Sequence, residues 1–344
     1  MKKITVTVLA MICIMICFSS PVNSTEKKSQ QDKDGDGYIT SKEAYPSATA
    51  LRATETKQEK IEMTTIDPSI IKSLSTANLV ELVISYPYLG DMLAFDDYLT
   101  GCEVVIGNFN GLRELMNRKD AGDYLLDAYR KMSVSDSIVL SCLEILMAKF
   151  HSLKAISETQ FKSFYDVYLQ KNELRKSSGY SIRVNLEVEN STKATYYVLT
   201  PKGTKVKVTK NNTVPTAQDI ADFNKLLNQY SGTRILGTYT FKYNCHSYAF
   251  YQQSTLNTYV MSDPSAYITD GSYKKRNDNS VTKGDIIVIT YNKKISHSEV
   301  NLYNATHINI AIVKGKWGPG YLVEYNHQNS PFWSSGCTRA AYYR

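Results

Sequence analysis

The hydrophobic pattern of this sequence changes its period near Gly179, and this change restricts the fold to a class with both helices and sheets. Before that point, apolar residues recur every three or four positions, as over 79–86, which is typical of a helix with one buried face. After it, residues 181–188 alternate apolar and polar side chains, as a half-buried strand does. The sequence therefore predicts an α+β protein.

The first half of the chain is predicted to form a small antiparallel helical bundle over residues 63–178. Helical spacing of apolar residues occurs over 79–86, 105–116, 120–132, 136–150 and 161–168. None of these segments carries polar residues at catalytic spacing. We therefore expect the chemistry to lie in the second half, over 179–344.

That second half is predicted to fold as a helix packed on an antiparallel sheet. Strands are expected over 181–188, 194–199, 205–208, 286–291, 296–302, 307–313 and 321–325, and a helix over 216–230. A further helix is expected to start in the stretch 243–251, where Asn244 can cap it and an apolar run follows. Cys245 lies at the start of that helix.

Cys245 is the candidate nucleophile. Unpaired backbone N–H groups and the helix dipole favour a thiolate at a helix N-terminus, and such sites lower a cysteine pKa from about 8.5 to roughly 3.5–7.5. A nearby imidazole must take the thiol proton. His297 and His307 begin two consecutive predicted strands, so either can be the base, and Asn309 or His307 can orient His297 across a hairpin at 303–305.

His246 is expected to take no part in this chemistry. It follows Cys245 directly, and successive helical residues diverge by about 100°. For the same reason the sequence disfavours a zinc site built from these two side chains.

Several of these residues also carry a resemblance to a known group. The stretch Asn-Cys-His-Ser-Tyr-Ala-Phe (244–250), Lys-Gly-Asp (283–285), His297 with Ser298, and Lys-Trp-Gly (316–318) resemble exported bacterial proteins with an NCHSYAW-type motif. The resemblance covers most of residues 75–344.

The resemblance implies a papain-like fold, distantly similar to the NlpC-type and CHAP-type cell-wall amidases and peptidases. It implies that Cys245 is the nucleophile and His297 the base. The segment 307–315 also resembles the histidine strand of NlpC-type peptidases, which would make His307 the base instead.

The N-terminus reads as a signal peptide over 1–24, because Met1-Lys-Lys3 precedes an uncharged apolar run and Val22-Asn-Ser24 offers small residues for cleavage. The expected location is secreted, cell-surface or periplasmic, with a lipid anchor on Cys17 as an alternative. No later apolar run is long enough for a transmembrane span. The mature chain keeps Cys102, Cys142, Cys245 and Cys337, too few for a disulfide-built scaffold.

Residues 25–62 are predicted to hold an EF-hand-like calcium loop and a polar linker. The spacing of carboxylates, Gly37 and a final glutamate fits the twelve-residue calcium loop. The expected calcium ligands are Asp32, Asp34, Asp36, Tyr38, Thr40 and Glu43. The segment 46–62 is rich in polar residues, which favours a linker.

Together these features predict an exported thiol hydrolase, an amidase or peptidase that cleaves amide bonds of cell-wall or other extracellular peptide material. Its expected partner is a peptide or peptidoglycan-like substrate. The net charge of +7 is spread along the chain, so the sequence gives no indication of nucleic-acid binding. The alternative is a non-catalytic, calcium-stabilised surface or binding protein that keeps a papain-like shell.

Overall fold

A computed structural model describes residues 38–178 and 194–344 of the chain. Helices fill the first of these ranges: α1 (Ser41–Ala44), α2 (Ala48–Ala53), α3 (Lys57–Thr64), α4 (Pro68–Ser73), α5 (Thr76–Ile84), a 3-10 helix (Leu89–Ala94), α6 (Tyr98–Asn108), α7 (Asn110–Met116), α8 (Ala121–Lys131), α9 (Ser137–Ser152) and α10 (Glu158–Ser177). The second range adds α11 (Ala217–Leu227) and α12 (Ser265–Thr269).

Strands occur in the second range. They are β1 (Tyr196–Leu199), β2 (Lys205–Val208), β3 (Arg234–Ile235), β4 (Lys274–Lys275), β5 (Ile286–Tyr291), β6 (Lys294–Asn301), β7 (Ile312–Lys316), β8 (Leu322–Asn326) and β9 (Cys337–Tyr343). β1 and β2 form an antiparallel pair, and the others form an antiparallel sheet in the order β3-β8-β7-β6-β5-β9-β4. Helices followed by antiparallel sheet confirm the predicted α+β class.

Local sequence explains where several helices begin. The Ser157 hydroxyl accepts a hydrogen bond from the Gln160 backbone N–H, and the Gln160 side chain accepts one from the Ser157 backbone. Thr216 and Asp219 repeat this reciprocal arrangement at the start of α11. Such capping boxes satisfy N–H groups that the first helical turn leaves without partners.

The central sheet is covered on both faces. Ile287 and Ile289 of β5 belong to the same buried core as the helices of the first half. Ile286 and Val288 point the other way and pack with Phe250, because successive strand residues face opposite sides. The helical half and one face of the sheet therefore share a continuous core.

The polar segment 46–62 is not a linker, contrary to the expectation from its composition. It contains α2 and most of α3, and both Lys57 and Lys60 are fully buried. Lys57 forms an ion pair with Asp91 and donates a hydrogen bond to Tyr230 Oη at 2.8 Å. Composition could not reveal this, because the partners that offset the lysine charges are distant in sequence.

The strands differ from the expected ones in several places, and the two-residue strands β3 and β4 were not predicted. Residues 307–313 were predicted as one strand, but Ile308–Ile310 forms a 3-10 turn and β7 starts only at Ile312. The C-terminal strand β9 was not predicted, although it pairs with β5 along its length. The strand predicted over 181–188 lies outside the described residues.

Two further expectations can be compared with the described part of the chain. None of its helices has the length and apolar character needed to cross a membrane. The Cys142 thiol donates a hydrogen bond to the Leu89 carbonyl at 3.5 Å, and Cys102 is buried as a thiol. Neither residue is therefore part of a disulfide here.

Candidate functional site

Asn244 starts the helical turn that carries Cys245. Its side-chain oxygen accepts a hydrogen bond from the Ser247 backbone N–H at 3.1 Å, and its own N–H donates to Ser247 Oγ at 3.3 Å. A π-helical turn, Ser247–Tyr251, continues from there. The side-chain nitrogen of Asn244 donates a hydrogen bond to the Met261 carbonyl at 2.7 Å. Asparagine is a preferred N-cap residue, because its side chain accepts a hydrogen bond from a backbone N–H that the first turn leaves without a partner. This explains why the predicted turn forms here.

The Cys245 thiol is buried, at 1% exposure, and its proton points to a carboxylate. Sγ donates a hydrogen bond to Asp96 Oδ2 at 3.2 Å. Burial raises the pKa of Cys245 well above its usual value, and the negative charge of Asp96 adds to the rise. The backbone N–H groups of Ser298 and His246 oppose this rise in the thiol pKa. Burial, with a smaller contribution from Asp96, therefore keeps the pKa of Cys245 above the low range expected from the helix start.

Asp96 lies where the helical half meets the cleft, and its side chain reaches solvent there. The thiol donates a hydrogen bond to it, and the Cys245 backbone N–H and the Asn244 side chain lie nearby. These groups and the Lys316 ammonium favour the charged form of Asp96. The carboxylate thus occupies the helix N-terminus, a position that favours an anion.

His246 lies next to the thiol, contrary to the expected divergence. One ring nitrogen of His246, Cys245 Sγ and a carboxylate oxygen of Asp96 all lie within 4.8 Å of one another. Nδ1 of the ring is 2.9 Å from Ser298 Oγ. Burial lowers the pKa of His246 to about 4, so the ring is neutral at physiological pH.

Lys316 supplies a buried amine beside this cluster. Its Nζ donates to the Thr240 carbonyl at 2.8 Å and also to the Gly320 carbonyl. Burial lowers the pKa of Lys316 to about 7, whereas Asp96 and Cys245 raise it. The ammonium form of Lys316 can balance the negative charge of the Asp96 carboxylate.

His297, the base predicted from the sequence, faces the other side of the sheet. It pairs with Ile289 across the strands, whereas Ser298 pairs with Val288, and opposite residues of paired strands share a face. The imidazole stacks on Phe332 with 3.4 Å between ring centroids. Its Nε2 is 3.0 Å from Tyr325 Oη. The structure therefore does not bring the His297 ring into hydrogen-bond contact with the thiol.

A buried polar chain explains the environment of His297. Tyr325 Oη donates to Glu299 Oε2 at 2.5 Å, and the other oxygen of Glu299 bonds to His327 Nδ1. Because the tyrosine has a single proton, His297 Nε2 must donate its own to Tyr325. Burial lowers the pKa of His297 well below its usual value, and the proximity of His246 and His327 adds to this.

His307 and Asn309 lie together but apart from the thiol. The Asn309 backbone N–H donates to His307 Nδ1 at 3.1 Å, and this contact starts the 3-10 turn Ile308–Ile310. Cys245 donates to Asp96 instead of to either residue. The roles predicted for His307 and Asn309 stay predictions.

A cleft of about 1020 Å³ opens above the cluster. Asp96, Asn244 and His246 are among its lining residues, and Cys245 lies behind them. The rest of the wall combines hydroxyl and amide side chains with acidic, aromatic and basic ones, among them Asp97, Tyr239, Phe241, Asp263, Lys293 and Lys294. Such a cleft can hold a polar chain with several hydrogen-bonding groups.

Part of the predicted calcium loop is also described. Thr40 donates hydrogen bonds to Glu43 Oε2 from its backbone N–H at 2.9 Å and from its hydroxyl at 2.8 Å. The Asn78 side chain makes two hydrogen bonds to the backbone of buried Ile39. It accepts one from the Ile39 N–H and donates one to the Ile39 carbonyl, each at 2.9 Å. The side chain of Tyr38 bonds to Glu81. Asp32, Asp34 and Asp36 lie outside the described residues.

Sequence reasoning missed Asp96, which is 149 residues before Cys245 and belongs to no motif. The only sequence signal is a pair of acidic residues after a buried segment. Comparison with known proteins adds no assignment, since no family model, curated protein or solved structure matches this chain.

Proposed function

We propose that this protein is an exported thiol hydrolase that cleaves amide bonds through Cys245. The supporting observation is the placement of Sγ at a helix start behind a cleft of about 1020 Å³, hydrogen-bonded to a group that can take its proton. Hydrolysis by a thiol needs a nucleophile, a proton acceptor and donors for the oxyanion. A papain-like arrangement preceded by a helical bundle belongs to the same proposal.

The proton acceptor in this proposal is Asp96. Its Oδ2 already accepts the thiol hydrogen bond, whereas the predicted base His297 bonds to Tyr325. Asp96 reaches the cleft and lies beside the thiol, so it can accept the thiol proton and pass it to the leaving group of a bound substrate.

The first chemical step transfers an acyl group to the enzyme. Cys245 loses its proton to Asp96, and Sγ attacks the substrate carbonyl carbon while the carbonyl oxygen takes over the Cys245 backbone N–H. The amide C–N bond then breaks, and protonated Asp96 returns the proton to the departing amine. The products of this step are a thioester on Cys245 and a free amine.

Water completes the cycle. Asp96, again a carboxylate, takes a proton from a water molecule that attacks the thioester carbonyl. The C–S bond breaks, and the proton passes back to the departing thiolate. The released acid carries the water oxygen, so the enzyme returns to its starting state without a cofactor.

In this proposal, the substrate class follows from export of the protein. The signal peptide predicted over 1–24 would place the mature chain outside the cytoplasm, where peptide cross-links of cell-wall material are available. We propose calcium as a structural ion of the loop before α1, supported by the Thr40–Glu43 contacts and by the pairing of Ile39 with Asn78. The signal peptide and part of the calcium loop lie outside the described residues.

The alternative is a binding protein without catalysis. The raised pKa of Cys245 and its position behind Asp96 favour this alternative, because an inert buried thiol has both properties. In this case the cleft binds a peptide but does not cleave it.

Digestion of purified peptidoglycan separates the two functions. We expect the wild-type protein to release free amino groups and the Cys245→Ser variant to release none, while Cys337→Ser, which changes a buried cysteine of β9, keeps the activity. Equal amine release by wild type and Cys245→Ser would contradict the proposal. Binding of the material without amine release would favour the alternative.

A further inference from the structure

Three different kinds of metal ligand converge at the Cys245 turn. A carboxylate oxygen of Asp96, Sγ of Cys245 and a ring nitrogen of His246 lie within 4.8 Å of one another. Two of the three residues are buried, and the third opens to the cleft. We propose that these three side chains form a binding site for a zinc-class divalent cation, with the fourth position open to the cleft.

The separations match the size of such a site. Zinc binds sulfur at about 2.3 Å and nitrogen or oxygen at about 2.0–2.2 Å in a tetrahedral arrangement, so its ligand atoms lie roughly 3.3–3.8 Å apart. Cys245 Sγ and Asp96 Oδ2 are 3.2 Å apart. The imidazole nitrogen is within 4.8 Å of both, so the three ligand atoms already lie near the spacing of a tetrahedral site.

The chemistry of the ligands selects the ion. Thiolate and imidazole favour zinc and similar transition metals, whereas calcium and magnesium favour oxygen ligands. A thiolate and a carboxylate carry two negative charges, which balance a divalent cation. In the metal-free state the thiol keeps its proton beside Asp96, and binding releases that proton to solvent as the sulfur–metal bond forms.

The surroundings of the three ligands are already ordered. Ser298 Oγ contacts His246 Nδ1 at 2.9 Å and fixes the orientation of the ring. Asn244 holds the turn through its contacts with Ser247 and Met261.

Occupation of this site has a direct effect on the sulfur. A metal-bound thiolate is a weaker nucleophile because the metal bond withdraws electron density from sulfur, so the cation protects Cys245 and slows hydrolysis. The effect on hydrolysis rests on the proposed function, but metal binding does not. The two are therefore tested by separate measurements.

Cobalt titration tests the site, because a cobalt–thiolate bond gives a charge-transfer absorption band that oxygen ligands do not. The purified full chain is titrated with Co²⁺ in excess Ca²⁺, which keeps cobalt out of the calcium loop. We expect a saturable band that Zn²⁺ displaces. Cys245→Ser should lose the band, and Asp96→Asn should weaken binding. Asp97→Asn and Cys337→Ser, the matched controls, should bind as wild type.

A second measurement needs no variant. Zn²⁺ should slow alkylation of wild-type Cys245 by at least about tenfold, as read by peptide mass, and a chelator should restore the rate. Absence of the cobalt band, its survival in Cys245→Ser, unchanged affinity in Asp96→Asn, or alkylation insensitive to Zn²⁺ would each overturn the proposed metal site. Failure of the chelated protein to release amines from peptidoglycan, with the cobalt band intact, would refute the hydrolase alone.

Discussion

Asp96 Oδ2 lies 3.2 Å from Cys245 Sγ and accepts the thiol proton in a hydrogen bond. The contact joins the loop after the 3-10 helix Leu89–Ala94 to the turn that begins the second half's buried helix. A carboxylate at this distance opposes ionisation of the thiol. The helical half thus controls the reactivity of a cysteine that lies in the other half of the chain.

Replacement of Asp96 by asparagine should make Cys245 more reactive. Asp96→Asn removes the negative charge that helps to raise the pKa of the thiol. A fall of one pKa unit increases the thiolate fraction about tenfold at a pH below the pKa. We therefore expect alkylation of Cys245 at pH 7 to be at least about tenfold faster, as measured by peptide mass. An unchanged or slower rate would contradict this electrostatic account, and Asp97→Asn serves as the control.

The same substitution should slow hydrolysis. Asparagine cannot take the thiol proton or return it to the amine, and loss of a general acid–base group typically costs about 10²–10⁴-fold in rate. We expect Asp96→Asn to release amines from peptidoglycan at least about 100-fold more slowly than wild type. Faster hydrolysis would show that Asp96 only covers the thiol, and the proton acceptor would then have to be another group.

His297→Gln tests whether that histidine is structural or catalytic. The imidazole lies in a buried chain with Tyr325 and Glu299, and an unsatisfied buried polar group costs about 1–3 kcal/mol. We expect a lower free energy of unfolding in urea, with amine release per folded molecule within a few-fold of wild type. Unchanged stability with a 100-fold loss of hydrolysis would support the sequence-based role of His297 as the base.

Lys60 should make the stability depend on pH. Burial lowers the pKa of Lys60 to about 7 in the folded state, while the unfolded chain keeps a pKa near 10.4. The unfolded state then binds more protons between about pH 7 and 10, so this residue makes stability rise with pH in that window. We expect the wild-type minus Lys60→Met difference in the free energy of unfolding to increase from pH 7 to 8.5. A constant difference would show that the Lys60 pKa is not lowered.

Calcium should stabilise the N-terminal part of the protein if the predicted loop binds it. At a concentration about 100 times its dissociation constant, a ligand adds about 2.7 kcal/mol to the stability of the state that binds it. We expect Ca²⁺ to protect the peptide bonds near Thr40 from proteolysis, and Glu43→Gln to remove most of that protection. Glu62→Gln, on α3, is the control. Equal cleavage with and without Ca²⁺ in wild type would exclude a calcium site.

The elements that the sequence predicted best are those with strong local signals. β5 matches the predicted strand 286–291, because an uninterrupted run of branched residues follows a glycine turn at Gly284. The helices α8 and α9 lie within about two residues of their predicted bounds. In these segments local preference and final packing agree.

Other parts depend on contacts between residues that are distant in sequence. Lys57 and Lys60 belong to a polar stretch, and only the folded structure places Asp91 and Asn329 beside them. The short 3-10 turn at His307 arises because His307 Nδ1 accepts from the Asn309 backbone, which interrupts an otherwise strand-like pattern. Neither the buried lysines nor the 3-10 turn produces a periodic hydrophobic pattern in the sequence.

The candidate site was predicted in part for the same reason. Cys245 could be identified from the helix start that Asn244 creates, which is a local property. Its partner Asp96 could not, because their contact spans 149 residues. His297 was identified as a strand residue, but the register of β6 against β5 decides its face, and a shift of one residue would reverse it.

The most direct test of the hydrolase is detection of the acyl group on Cys245. Metal-free protein is mixed with soluble peptidoglycan fragments, quenched with acid within the first turnover and examined by peptide mass. The account predicts a thioester on the peptide that contains Cys245, removed by hydroxylamine and absent in Cys245→Ser. Amine release without any adduct on that peptide, or an adduct that persists in Cys245→Ser, would contradict the assignment of Cys245 as the nucleophile.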